Sequence, residues 1–428
     1  MPRRKINTNT MKQSESDFLN SDNKIDNVKK LIFPLGFLWG AATSAHQVEG
    51  GTKNDWTEWE YKNANRLAQM ASRKKWPDYI LSGYPNPLQP ENYISGRACN
   101  HYNRFREDFN IAKSLGHNAH RFSIEWSRIE PSEGRFDEKE IEHYREVIKS
   151  LRERGMEPFV TLWHWTLPLW IRDIGGWENK KTIEYFVCYA TKIIEQLGSE
   201  VKFWITLNET NVYDGNGYLK GIWPPDRRSA VKYMRVNRHL SQAHIAAHKA
   251  IKKINSDAQI GVAHNMIYFT KFFAGLKNYV YNFFFLNSIK QYQDFVGVNY
   301  YYSDKNIKER SDMNWPIDAD GLYFVLKDAS QYKKPIYVLE NGIADAKDDR
   351  RDNFIKEHIG AMKKAIDDGV DVRGYFYWSL LDNFEWDKGF WPRFGLVEID
   401  YKTMERKVRP SAWKYAKICK NNSLETDA

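Results

Sequence analysis

Cysteine is scarce in this chain of 428 residues, at three positions, Cys99, Cys188 and Cys419. An odd count without metal-ligand spacing excludes a disulfide scaffold and a cysteine-based metal site. It fits a reducing compartment, so a cytoplasmic location is expected. No apolar run reaches the roughly 18 to 20 residues of a membrane helix before a charge intervenes, and mean hydropathy is −0.68. No membrane association is expected. The first 30 residues lack an apolar h-region and a small-residue cleavage site, so they read as a disordered polar tail (1–30) and not as a secretory signal. There is no Walker-type loop and no dinucleotide fingerprint, and therefore no cofactor is expected. His239, His244 and His248 share one predicted helix without a carboxylate between the i, i+4 pair, and no metal site is assigned to them. The formal charge of +9 is not gathered into a stripe. Beyond residue 30 there are 57 basic against 51 acidic residues, interspersed, which argues against nucleic acid as a partner.

What is present is a large apolar and aromatic content, 42 % and 15 %, enough for a sizeable core. From residue 35 onward, short β-branched and aromatic runs alternate with longer stretches of helical period, the pattern of repeated β-α units. Strands are predicted over 38–43, 119–123, 157–163, 202–207, 258–264, 294–300, 335–340 and 372–379. Helices are predicted over 100–116, 138–154, 179–198, 228–254, 276–290, 319–332, 351–368 and 410–420. Eight such pairs without a linker predict an α/β fold, a single-domain (β/α)8 TIM barrel over 31–420, followed by a polar C-terminal tail over 421–428. The longest loops, at 44–99, 164–178, 301–318 and 379–393, all follow strand C-termini. That end is the catalytic face of this architecture.

Polar residues at those strand ends are therefore the candidate site. Glu209 and Glu340 end the apolar runs KFWITL and PIYVL, and two carboxyls at a water-poor mouth can act as acid and base. Gln47, His164, Asn208, Asn299 and Glu385 add hydrogen-bonding groups, and Glu49 after the first strand and Arg121 in the second are further polar residues. Trp165, Trp315, Trp378 and Trp386 add flat apolar faces. A pyranose displays hydroxyls at its rim and C–H groups on its faces, so this mixture suits a sugar.

The segments TLNE (206–209) and LENG (339–342) resemble the two catalytic signatures of glycoside hydrolase family 1, the β-glucosidase family. FLWGAATSAHQVEG (37–50), RFSIEWSRIEP (121–131), LWHWTLP (162–168), GVNYY (297–301), YWSLLDNFEW (377–386) and RFGLVEIDY (393–401) resemble it in the same order. The resemblance implies a retaining β-glycosidase that releases a terminal non-reducing β-D-glucosyl residue from small glycosides or oligosaccharides, with galactosyl and fucosyl as further candidates. It implies Glu209 as acid/base and Glu340 as nucleophile, with carboxyls about 5 to 5.5 Å apart. Gln47, His164, Asn208, Trp378, Glu385 and Trp386 are implied to contact substrate, and Arg121 and Tyr301 to support the nucleophile; from their own positions Trp315 is expected as a further substrate contact and Asn299 as a further support of the nucleophile. Thr210, Leu339 and Thr166 depart from the family's usual residues, and the stretch 265–293 looks shorter than usual. The alternatives are a 6-phospho-β-glycosidase and a catalytically weak carbohydrate-binding relative.

Residues 268–285 carry nine aromatic side chains. They read as a helix packed on the barrel, or as an apolar patch through which a homo-oligomer forms or an apolar ligand binds.

Overall fold

Strands that are apolar at nearly every position must be covered on both faces, which a parallel sheet closed on itself and ringed by helices achieves. The computed structural model describes residues 28–427. Its first strand, β1 (Val28–Ile32), lies outside the barrel. The next eight are β2 (Leu38–Ala42), β3 (Ala119–Ser123), β4 (Glu157–Trp163), β5 (Phe203–Asn208), β6 (Gln259–Tyr268), β7 (Val296–Ser303), β8 (Ile336–Asn341) and β9 (Val372–Trp378). They pair in parallel in sequence order, and β2 closes the barrel on β9. The expected (β/α)8 barrel is thus the observed fold.

The helices follow the apolar period. In Lys181–Leu197 the buried residues Ile183, Phe186, Ala190, Ile193 and Leu197 recur every three or four positions and face the strands. Some helix starts are capped by a short side-chain acceptor. Asn54, Asp137 and Ser229 each accept a backbone N–H from the first turn of the helix that follows. The barrel's own interior holds a separate aromatic cluster toward the beginning of the strands. Phe159 stacks on Phe203 with ring centroids 4.2 Å apart, and Phe376, Tyr337 and Phe295 complete the plug. The polar residues of the site therefore rest on a solid floor.

Two expectations differ from the structure. Residues 421–428 read as a polar tail, but beyond a short antiparallel pair, β10 (Val397–Ile399) and β11 (Arg406–Val408), and the helix Pro410–Asn421, the last described residues form β12 (Ser423–Asp427). β12 pairs antiparallel with β1, Val28 opposite Asp427 and Ile32 opposite Ser423. Backbone pairing and the buried Leu424 order this polar stretch, and neither leaves a periodic signal in five residues. Most of the expected N-terminal tail, residues 1–27, lies outside the described residues, while 28–30 belong to β1. The second difference is around residue 270. β6 runs four residues beyond the expected His264, and the helix expected at 276–290 is broken into Ala274–Asn278, a wide π-turn at Tyr279–Phe283, and Phe284–Ile289.

That segment divides its aromatics. Phe283 and Phe285 are buried, whereas Phe272 (80 %), Phe273 (64 %) and Tyr279 (52 %) are exposed. The flank is thus in part packed on the barrel and in part an apolar surface. Among the described residues, no helix is long and apolar enough to cross a membrane.

Candidate active site

Strict alternation along a strand would send neighbouring side chains to opposite faces. At the C-terminal edge of this barrel the ladder is irregular beside the site, between Ile205 and Asn208, between Val298 and Asn299, and between Val338 and Asn341. Register changes of this kind re-aim side chains. Leu339, part of the interior cluster, and the adjacent Glu340 both face inward as a result. Glu209 follows β5 with φ 42°, in the left-handed region that a non-glycine residue adopts only when its surroundings hold it there.

Glu340 is held at both oxygens. Arg121 Nη1 donates to Oε1 at 2.5 Å and the Tyr301 hydroxyl donates to Oε2 at 2.6 Å. Arg121 is itself fixed, donating from Nη2 to Asn208 Oδ1 at 2.6 Å and from Nε to Thr161 Oγ1 at 3.1 Å. The second carboxyl is treated differently. Glu209 Oε1 accepts from Asn299 Nδ2 at 2.8 Å and from Asn265 Nδ2 at 3.1 Å, with no cation among the described residues bonded to it. Burial, and then the charge of Glu340, push its pKa up to about 8. The two carboxyls thus stand in unlike surroundings, one bonded to a guanidinium and a phenol, the other to amides alone.

Both carboxyls open onto a cavity of about 480 Å³ whose wall also includes Gln47, His164, Trp315, Trp378, Glu385 and Trp386. Gln47 Nε2 donates to Glu385 Oε2 (3.3 Å), to Asn383 Oδ1 (3.0 Å) and to the Phe384 carbonyl (2.8 Å), so the glutamine is locked against the carboxyl. Burial and the neighbouring charges of Glu340, Asp387 and Glu209 raise Glu385 to about 8. The His164 ring is kept neutral by burial and by Arg121, and it lies nearly parallel to Trp386, 5.9 Å away. Trp315 packs 5.6 Å from Tyr301, which also lines the cavity.

Arg121, Asn208 and Asn299 do not line the cavity. They lie beneath it, at most 1 % exposed. Asn208, expected to contact sugar, has its carbonyl oxygen taken by Arg121 and Asn299 and its amide nitrogen near His164 Nε2 (3.2 Å). Glu49 lies outside the cavity, paired with Arg128 at 2.8 Å and with the Tyr144 hydroxyl. Sequence reasoning missed Asn265, Tyr281 and Tyr302. Asn265 carried the usable signal, a polar residue closing an apolar run, but the strand was expected to stop at His264. Tyr281 and Tyr302 sat among other aromatics and could not be told from core residues.

The model of the family described as "Glycosyl hydrolase family 1" matches residues 29–272 and 303–424. The chain belongs to this family. Beta-glucosidase A of Thermotoga maritima is 34 % identical over 468 aligned residues, covering 93 % of this chain and all of that protein. A 6-phospho-beta-galactosidase of Staphylococcus epidermidis is 30 % identical over 93 % of this chain and all of its own length. A solved beta-glycosidase from Pyrococcus horikoshii superposes with a TM-score of 0.82 at 36 % identity, covering 93 % of this chain and 97 % of the other. The Thermotoga maritima beta-glucosidase in complex with deoxynojirimycin gives 0.79 at 32 % identity, covering 92 % and 99 %. As a family 1 member the chain is a glycoside hydrolase acting on O-glycosidic bonds, and it is a β-glycosidase.

Proposed function

We propose that the protein is a retaining β-glucosidase working by double displacement on small, unphosphorylated glycosides. The observation that carries this reading is the unequal treatment of two facing carboxyls. Glu340 is clamped by a guanidinium and a phenol, while Glu209 is buried with amide donors alone and raised to about 8. The anionic Glu340 attacks the anomeric carbon, forming a C–O ester bond, as the Glu209 proton passes to the departing glycosidic oxygen. Glu209, now anionic, then takes a proton from water, which attacks the same carbon and releases Glu340. Two inversions give net retention. Trp378 offers a platform for the ring, and Gln47, His164, Glu385 and Trp386 offer contacts at its rim.

Relatives named for phosphorylated and for unphosphorylated sugars both resemble this chain, so charge is the discriminating feature. The wall carries Glu385, and the nearby Lys388 is bonded to Asp387 at 2.5 Å. Arg393 is turned to the Ile399 and Tyr84 carbonyls and faces Asp382 at 3.5 Å. A 6-phosphate would meet a carboxyl whose neighbouring cations, Lys388 and Arg393, are already committed to other partners, which supports the unphosphorylated substrate. The free thiols of Cys99, Cys188 and Cys419 support a reducing compartment. The test is the anomeric form of glucose first released from an aryl β-glucoside, followed by proton NMR before mutarotation. Initial β-glucose is expected, and initial α-glucose overturns the mechanism.

A further inference from the structure

The π-turn at Tyr279–Phe283 lies in the stretch 273–302 that the family model leaves unmatched. Its position is fixed by side chains acting in place of a neighbouring strand. Asn282 accepts the Ile267 N–H at 3.0 Å and donates to the Ile267 carbonyl at 2.8 Å. The Tyr281 carbonyl accepts from Asn211 Nδ2 at 3.2 Å, and His264 Nε2 lies 3.2 Å from it. So anchored, the Tyr281 hydroxyl reaches into the cavity wall and donates to Asn265 Oδ1 at 2.9 Å, while Asn265 Nδ2 donates to Glu209 Oε1 at 3.1 Å.

We infer that Tyr281 is a positioning residue for Glu209, acting through Asn265. The inference rests on the acid/base role given to Glu209 above. A carboxamide has two ends of opposite character, and only the amide nitrogen suits an oxygen that must become anionic. Tyr281 satisfies Oδ1 and thereby holds the nitrogen toward Glu209. With Asn299 and Asn265 both donating to Oε1, the proton of the neutral acid is directed to Oε2. Without the phenol, Asn265 is free to turn its oxygen toward Glu209, which disfavours the anion needed to activate water. The other charged or titratable groups facing Glu209 are Glu340 from β8, Arg121 from β3, Glu385 after β9, Tyr301 and Tyr302 from β7, and His164 after β4. Tyr281→Phe leaves all of them in place.

Tyr281→Phe is expected to move the alkaline limb of kcat/KM upward by about half a unit to one unit and to slow turnover of a dinitrophenyl β-glucoside about three- to tenfold, the range of one hydrogen bond. Deglycosylation limits that substrate, so a pre-steady-state burst should accompany the slowing. In an Asn265→Ala background the same substitution should add nothing. A tyrosine that merely packs would change melting temperature but not the limb, and one that contacts substrate directly would keep its full cost in the Asn265→Ala background. Either result overturns the relay. Glu209→Gln separates the two readings. A limb that survives in Glu209→Gln with Glu385→Gln also present, so that both carboxyls titrating near 8 are removed, defeats the acid/base role itself, whereas a limb lost in Glu209→Gln but unmoved in Tyr281→Phe defeats the relay alone.

Discussion

Arg121 and Glu340 meet across the barrel interior at 2.5 Å, with side chains 1 % and 4 % exposed. Buried pairs of this kind are costly to break on one side, by about 3–5 kcal/mol, because the remaining charge has lost both partner and water. Arg121 also bonds Asn208, so one guanidinium ties β3 to the ends of β5 and β8. The guanidinium thereby fixes the Glu340 carboxyl in place and shapes the ground beneath the cavity.

Removal of the Glu340 carboxyl should test the nucleophile role proposed for it. Glu340→Ala is expected to lose activity on aryl β-glucosides by on the order of 10⁴-fold or more. Azide at high concentration should restore part of it and leave α-glucosyl azide, because the small anion attacks from the vacated side. Rescue giving the β-azide, or near-normal activity without azide, assigns the nucleophile elsewhere.

On the acid/base role proposed for Glu209, its raised pKa should set the alkaline side of the activity profile. Protonation of the leaving group needs the neutral acid, so kcat/KM for a nitrophenyl glucoside should fall as pH rises through about 8. Glu209→Gln should abolish that limb and spare glycosylation by a dinitrophenyl glucoside, whose leaving group needs no proton. Stopped-flow bursts measured across pH check both statements.

The same burial shapes stability. Glu209 and Glu385 both have folded values of about 8, above the ordinary carboxyl range they recover on unfolding. The stability they contribute is complete below the unfolded pKa and is lost as pH climbs toward about 8. Glu385→Gln should therefore be less sensitive to alkali than the parent. The difference in unfolding free energy between the two should grow by on the order of a few kcal/mol from about pH 5 to about pH 9. Parallel denaturation curves at the two pH values, with no growing gap, contradict the assignment.

Charge at the sugar's sixth position provides an independent check. Nitrophenyl β-glucoside is expected to exceed its 6-phosphate in kcat/KM by about 100-fold or more, because the phosphate would give up water beside Glu385 with no uncommitted cation to meet it. A preference for the phosphate would mean that Lys388 leaves Asp387 and dominates Glu385.

The aromatic plug should matter for folding and far less for chemistry. Phe159 is fully buried against Phe203, Tyr337 and Phe376, and Phe159→Ala should cost about 3–5 kcal/mol in chemical denaturation. A loss below about 1 kcal/mol would mean that the barrel floor collapses to fill the space.

Much of this molecule is legible from its sequence alone. β4 ends with the run FVTLW, because its residues are buried on both faces and leave a nearly continuous apolar signal. Glu209 and Glu340 stand out because a carboxyl ending such a run has no packing role. What the tertiary structure decided concerns partners. The register changes that turn Glu340 inward beside Leu339, the placing of Asn208 under the cavity wall, and the pairing of β1 with β12 are agreements between segments far apart in the chain. Tyr281 is the sharpest case. Its local sequence reads only as one aromatic among nine, and its hydroxyl acquires a task only when Asn282 fastens the turn to β6 and brings it to Asn265. Periodicity records how a segment meets an average apolar or aqueous surrounding, and it carries no record of which single polar atom waits on the other side.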